Sequence, residues 1–230
     1  IDDIIVVVID DGSDDKTVEV AKAHGVSHFV SHPRRRGLAQ SFQDGVLYCL
    51  SLGADIIVNT DGDNQYPSED IPRLIQPILN GKADMVIADR QVQKIIDFSL
   101  GKKLFHKLGT WTLNKAARTD IPDAPSGFRA YSRETAFKLN VVTRFSYAME
   151  TLIQAGNNGI SIATVKINVN PKTRESRLFN SSAEHVMKSG AAIFRAFVMY
   201  RPYTLFLSLG TALLLIGAVP FGRFLWGFFD

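Results

Sequence analysis

Four short apolar runs, Ile4–Ile9, Phe29–Val30, Asp55–Thr60 and Asp84–Ala88, alternate with stretches whose apolar residues recur at helical spacing. The first, Ile4-Ile5-Val6-Val7-Val8-Ile9, is continuous and β-branched, as expected of a strand buried on both faces. Val18 and Ala21 before Gly25 predict a short helix with Ser13 as its N-cap. Leu38, Phe42, Val46 and Leu50 fall on one face of a helix over 38–52, and Glu69–Leu79 reads as another. Strands alternating with helices at this spacing call for an α/β fold with a parallel, doubly wound sheet. In such sheets ligands sit beyond the carboxyl ends of the strands. Two acidic turns fall there, Asp10-Asp11-Gly12-Ser13 and Asp61-Gly62-Asp63.

The second turn carries the sharper chemistry. Ile56-Ile57-Val58-Asn59-Thr60 runs straight into Asp61-Gly62-Asp63-Asn64-Gln65-Tyr66-Pro67. Two carboxylates one residue apart are hard oxygen ligands suited to Mg²⁺ or Mn²⁺, and a cation with few protein ligands shares its coordination with substrate phosphates. A solvated Asp-Gly turn is the plain alternative. An EF-hand is excluded, because its required Gly and Glu positions, counted from Asp61, hold Tyr66 and Pro72.

After Arg90 the alternation breaks. Residues 91–118 are basic and helical in character, with Lys102, Lys103, His106 and Lys107 around Leu100, Leu104, Leu108 and Trp111. Pro125–Tyr131 reads as a turn followed by an extended segment, Ala148–Gly156 as helical and Ile160–Val169 as a strand. Charge is segregated: residues 1–30 carry seven acids and two bases, whereas residues 90–118 carry seven bases and one acid. Such basic segments suit phosphates or an anionic membrane surface. No nucleic-acid motif accompanies them, so nucleic acid is not an expected partner. The single cysteine, Cys49, excludes an internal disulfide framework.

Pro202–Gly222 contains no charged residue and lies between Arg201 and Arg223. Its 21 residues reach ~30 Å at ~1.5 Å per residue, enough to cross a bilayer core. Before it, Val186, Met187, Gly190, Ala191, Phe194, Phe197 and Val198 cluster on one helical face. This predicts an amphipathic helix on a membrane surface, with packing on the main domain as its rival. The expected organisation is a catalytic domain over 1–180, a juxtamembrane helix over 181–201 and a transmembrane segment over 202–230. Ile1 enters a strand almost at once, so an earlier strand is expected to be missing.

Taken in order, Asp10-Asp11-Gly12-Ser13-x-Asp15-x-Thr17, Arg36-Gly37-Leu38-Ala39, Asp61-Gly62-Asp63-Asn64-Gln65-Tyr66-Pro67 and Ser126-Gly127-Phe128-Arg129 resemble the family 2 glycosyltransferases of GT-A fold. Within them the chain is most similar to the dolichyl- and polyprenyl-phosphate sugar synthases, in which a segment like Lys172–Ser176 precedes the membrane helices. The resemblance implies a Rossmann-like, mostly parallel sheet flanked by helices. It implies a nucleotide-sugar donor (UDP- or GDP-sugar) bound by Asp10, Asp11, Asp61 and Gly62. Mg²⁺ or Mn²⁺ would be held by Asp61, Asp63 and Gln65, and the acceptor would be a polyprenyl phosphate. Asp63, Arg90, Arg129 and Glu150 are the implied catalytic positions, and Arg129, Arg174 and Ser176 the implied acceptor-phosphate ligands. The transfer would invert the anomeric carbon. The catalytic domain would face the cytoplasm, where soluble nucleotide sugars and the basic juxtamembrane residues both belong. A homo-oligomer is compatible with it.

A lipid monophosphate is largely anionic at neutral pH, with a second pKa of about 6 by analogy with phosphoamino acids, and needs no dedicated base. A hydroxyl acceptor does, and Glu150 stands where that base would be expected. Three alternatives therefore stay open: a hydroxyl acceptor, a nucleotidyltransferase, and a membrane-tethered module that only binds nucleotide sugars.

Overall fold

The computed structural model describes residues 4–94, 100–142, 146–171, 191, 194, 198 and 202–229. Arg174, Ser176 and most of the expected helix over 181–201 lie outside the described residues. The chain divides into two units, Ile1–Ile193 and Phe194–Asp230.

In the first unit, β1 (Val7–Asp10) pairs in parallel with β2 (His28–Ser31), and α1 (Thr17–Ala23) makes the crossover. Ile4, Ile5 and Val6 lie outside the strand and are exposed. The expectation of a strand buried on both faces is thus corrected: β2 is the only ladder partner of β1 among the described residues. Ser13 does not cap α1. Its N–H donates to Asp10 Oδ1 at 3.1 Å, and the helix starts at Thr17, whose N–H donates to Asp15 Oδ1. Gly25, at φ +85°, ends that helix in the left-handed region that favours glycine.

The second sheet has the order β3 (Ile56–Asn59), β5 (Arg129–Ser132), β4 (Met85–Asp89), β6 (Ile162–Lys166). β3, β4 and β6 run the same way, as the alternation predicts. β5 runs against them, wedged between β3 and β4, so that Arg129 stands opposite both Asn59 and Ile87. The extended segment after Pro125 is therefore a central strand.

Alternate side chains of β5 point to opposite faces. Ala130 joins Leu74, Ile75, Val86, Ala88 and Phe128 in a core covered by α3 (Ile71–Leu79). Tyr131, on the other face, meets Phe42 of α2 (Leu38–Ser51) edge-on at 5.8 Å. Phe42 also stacks on Tyr147 of α6 (Tyr147–Asn157) at 4.3 Å. The sheet thus lies between α3 and the α2/α6 pair, while α5 (Arg133–Lys138) follows directly on β5.

Ser146 caps α6, accepting from Met149 N–H. The C-terminal half of α4 (Leu100–Ala117) buries Leu113, Ala116 and Ala117. A Cβ on Gly156 of α6 would lie 2.0 Å from the Ala117 carbonyl oxygen, so glycine is what lets these two helices approach. The second unit contains α7 (Pro202–Phe229), 28 residues long and apolar enough to cross a membrane. The helix runs past the uncharged stretch, through Arg223.

Candidate active site

β3 delivers its last residue, Asn59, to the center of this site. Asn59 Nδ2 donates to the Gly127 carbonyl at 3.0 Å and to the Tyr147 hydroxyl at 2.8 Å. Gly127 sits in the turn that enters β5, and a Cβ there would lie 2.8 Å from the Tyr147 hydroxyl and 3.2 Å from Asp61 Oδ2. Only glycine leaves that space open. Tyr66, stacked on Phe128 at 5.1 Å, accepts from Gly127 N–H with its hydroxyl. Asn59, Gly127, Tyr66 and Tyr147 therefore form a frame around Asp61.

Burial pushes the Asp61 carboxyl up, the nearby Asp63 carboxylate pushes it further, and the Arg90 charge offsets part of this. Burial is the larger of the two raising effects, and the like charge of Asp63 adds to it. Asp63 accepts from Gln65 N–H and from Gln65 Nε2 at 2.8 Å, a compact turn that Asn64 closes at φ +59°. Asn170 fastens this loop from beyond β6, donating to the Asn64 and Gln65 carbonyls. A Cβ on Gly62 would meet nothing within 4 Å, so the turn is open at that point. Among the described residues no group of three or more His, Cys, Asp or Glu side chains converges as a cation site. Two adjacent carboxylates with the amide of Gln65 beside them suit a hard divalent cation whose remaining ligands come from a diphosphate.

Arg90 follows β4. Asp123 takes its Nε at 2.7 Å, its Nη2 at 2.8 Å and its backbone N–H at 3.0 Å. His106 Nε2 of α4 lies 2.8 Å from the same carboxylate. Burial raises Asp123, but the Arg90 and His106 hydrogen bonds and the Arg90 charge outweigh it and hold the carboxyl well below the usual carboxylate range. The Arg90 guanidinium is correspondingly held above its ordinary value, against the pull of burial. Asp123 occupies the Nε/Nη2 edge of the guanidinium and fixes its positive charge beside Asp61.

Arg129 lies deeper than Arg90. It is fully buried, donating from Nε to the Ser126 carbonyl, from Nη2 to the Ala124 carbonyl and from Nη1 to Thr151 Oγ1. It is a strut holding the 124–127 turn, with its guanidinium buried away from solvent. Glu150 is likewise buried, accepting from Val142 N–H at 3.0 Å and from Gln154 Nε2 at 3.3 Å. The structure gives it the support of a loop, not the exposure of a base.

At the first acidic turn the two carboxylates divide. Asp10 closes its own turn through Ser13. Asp11 Oδ1 accepts from Arg36 N–H and faces His32 Nδ1, while Oδ2 accepts from Gly37 N–H, each at 2.8 Å. Burial would raise this carboxyl, and those bonds lower it. Asp11 thus anchors the N-terminus of α2 in this structure. One helical turn further, Phe42 of the same helix packs on Tyr147.

The profile of glycosyl transferase family 2 matches residues 1–138. The chain belongs to glycosyl transferase family 2. This glycosyltransferase is 31% identical to an uncharacterized protein of Methanocaldococcus jannaschii, over 70% of this chain and 68% of that one. It is 34% identical to the dolichol-phosphate mannosyltransferase of Pyrococcus furiosus, over 65% of this chain but only 44% of that enzyme. Among solved structures, glucosyl-3-phosphoglycerate synthase of Mycobacterium tuberculosis with Mn²⁺, UDP and phosphoglyceric acid superposes at a TM-score of 0.64. Identity there is 21%, covering 85% of this chain and 67% of that one. The glycosyltransferase thus has the GT-A fold expected of it.

Asn59, Tyr66, Tyr147, Asp123 and His106 are site-forming residues that sequence reasoning missed. The polar end of an otherwise apolar strand was the signal available for Asn59. Asp123, between Pro122 and Pro125, carries no periodic signal.

Proposed function

We propose that this enzyme transfers a sugar from a nucleotide-sugar donor, a UDP- or GDP-sugar, to a polyprenyl phosphate at a membrane, with inversion at the anomeric carbon. The observation that carries the reading is the Asp61/Asp63 pair at the end of β3, with Asp61 framed by Gly127 and Tyr147 and faced by the Arg90 charge. Asp61 and Asp63, with Gln65, would hold Mg²⁺ or Mn²⁺. That cation supplies charge neutralisation to the departing nucleoside diphosphate.

The chain's own residues do the rest. Gly127 leaves room beside Asp61 for a substrate group, and Asn59 with Tyr147 keeps that wall rigid. Arg90, aimed by Asp123, contributes a fixed positive charge to the leaving diphosphate or the arriving phosphate. Asp10 at the end of β1 is the donor-side carboxylate of the first turn. Glu150 is committed to Val142, which favours an acceptor that arrives already anionic. Positioning and charge balance then suffice for attack on the anomeric carbon. The name of the Pyrococcus relative supports a lipid-phosphate acceptor, and the complex of the mycobacterial synthase supports a divalent cation with a uridine nucleotide. The apolar α7 supports action at a membrane, with the catalytic unit on the cytoplasmic face. Arg174 and Ser176 are retained as proposed acceptor-phosphate ligands.

The test is incubation of the full chain in proteoliposomes with UDP- and GDP-sugars, polyprenyl phosphate and Mn²⁺, followed by mass spectrometry of the lipids. A glycosyl phospholipid formed by the enzyme and absent with Asp63→Ala supports the proposal. Donor breakdown without a lipid product overturns it in favour of another acceptor.

A further inference from the structure

Between Leu104 and Trp111, α4 carries apolar residues on the side turned away from the protein. Leu104, Phe105, Leu108 and Trp111 are 68%, 60%, 56% and 62% exposed. Their spacing of one, three and three residues puts them along one side of the helix. From behind, the helix is fastened by His106 on Asp123 and by the buried Thr110, Leu113, Ala116 and Ala117. The apolar side is therefore the outer face of an element already seated on the core.

What covers such a face is indicated by its charge. α4 contains Lys102, Lys103, Lys107 and Lys115 and no Asp or Glu. Lys107 and Lys115 are exposed. A second copy of the chain would bring this all-basic helix against itself, which like charges oppose. A solvated surface seldom gathers four large apolar residues on one helix. Apolar residues among lysines, without acids, match an anionic lipid surface: the apolar side chains enter the acyl boundary while ammonium groups stay at the phosphates.

We propose that the outer face of α4 docks on an anionic bilayer surface, seating Leu104, Phe105, Leu108 and Trp111 beneath the headgroups with Lys107 at phosphate level. This rests on the membrane reading of the enzyme given above. It makes α4 the element joining the lipid surface to the site, because His106 on its inner side grips the Asp123 that holds Arg90.

The chain has two tryptophans, so Trp226→Phe leaves Trp111 as the sole indole reporter. The full chain carrying that change is reconstituted into vesicles of phosphatidylcholine with phosphatidylglycerol, with and without lipids brominated near the headgroup end of their acyl chains. The expected result is a blue-shifted Trp111 emission that the brominated lipids quench, with quenching reduced by Leu108→Glu. Emission typical of water and insensitive to bromine overturns the proposal. A blue shift that depends on protein concentration and not on bromine also overturns it, in favour of a second copy. Glycosyl-lipid formation in the same vesicles separates the two readings. Product with an unquenched Trp111 sinks the docking alone, whereas a quenched Trp111 without product from any donor supports docking and sinks the acceptor assignment.

Discussion

Asp123 holds Arg90 with both carboxylate oxygens, at 2.7 Å to Nε and 2.8 Å to Nη2. Arg90 follows β4, yet its direction is set by a residue 33 positions later in an irregular segment. The Arg90 charge in turn lowers Asp61 against burial and Asp63. One buried carboxylate thereby positions the charge that partly offsets burial and Asp63 at the acidic turn.

Asp123→Asn should destabilise the detergent-solubilised enzyme by about 3–5 kcal/mol at neutral pH, because it leaves a buried guanidinium without its counter-charge. Asp123 is 1% exposed, so solvent does little to soften the loss. The sign of the pH dependence follows from the depressed carboxyl. Its contribution is complete above the unfolded value of about 4 and fades as pH falls toward the lower folded value. Denaturation midpoints of wild type and variant should therefore stay apart down to pH ~4 and converge progressively as the pH falls below it, the range in which a constant gap counts against the pairing.

Arg129→Lys should behave as a folding defect. An ammonium cannot reproduce a planar fork that reaches Ser126, Ala124 and Thr151 at once. Each buried partner left unpaired costs about 1–3 kcal/mol. Thermal denaturation should show the loss, while the folded fraction keeps its KM for the lipid acceptor. A raised acceptor KM with unchanged stability would restore Arg129 as a phosphate ligand.

Gly127→Ala should damage turnover more than stability. The added methyl meets the Tyr147 hydroxyl at 2.8 Å and Asp61 Oδ2 at 3.2 Å, so one of them must move. Displacement on the order of 1 Å at a reacting center can cost ~10²-fold in rate. Steady-state kinetics beside a melting curve would check this, and full activity would remove Gly127 from the site.

Asp10 and Asp11 should separate cleanly. Asp11→Ala strips partners from Arg36 N–H, Gly37 N–H and His32, and should lower stability by about 1–3 kcal/mol. Asp10→Ala should instead weaken nucleotide binding in a calorimetric titration. Equal losses of nucleotide affinity from both changes would return Asp11 to the donor pocket.

The acidic turn was legible because an apolar run ends in two closely spaced acids, and the structure places them at the end of β3 as expected. The burial of Arg129 has a tertiary cause. Its local sequence describes a turn, and only the insertion of β5 between β3 and β4 turns that arginine inward. The anchoring bonds of Asp11 carry no local signal, because its partners Arg36 and Gly37 lie 25 and 26 residues away. On α4 the helical period was visible, but Leu104, Leu108 and Trp111 face outward. Periodicity names a face without saying what covers it.

The account rests most directly on the Asp61/Asp63 turn as the place where a divalent cation and a nucleoside diphosphate meet. Calorimetric titration of UDP and GDP into the full chain, with and without Mn²⁺, measures this on wild type and on Asp63→Asn. The account predicts that one of the two nucleotides binds more tightly with Mn²⁺ and that Asp63→Asn abolishes the gain. Binding of equal strength with and without the cation, unchanged in the variant, would contradict it.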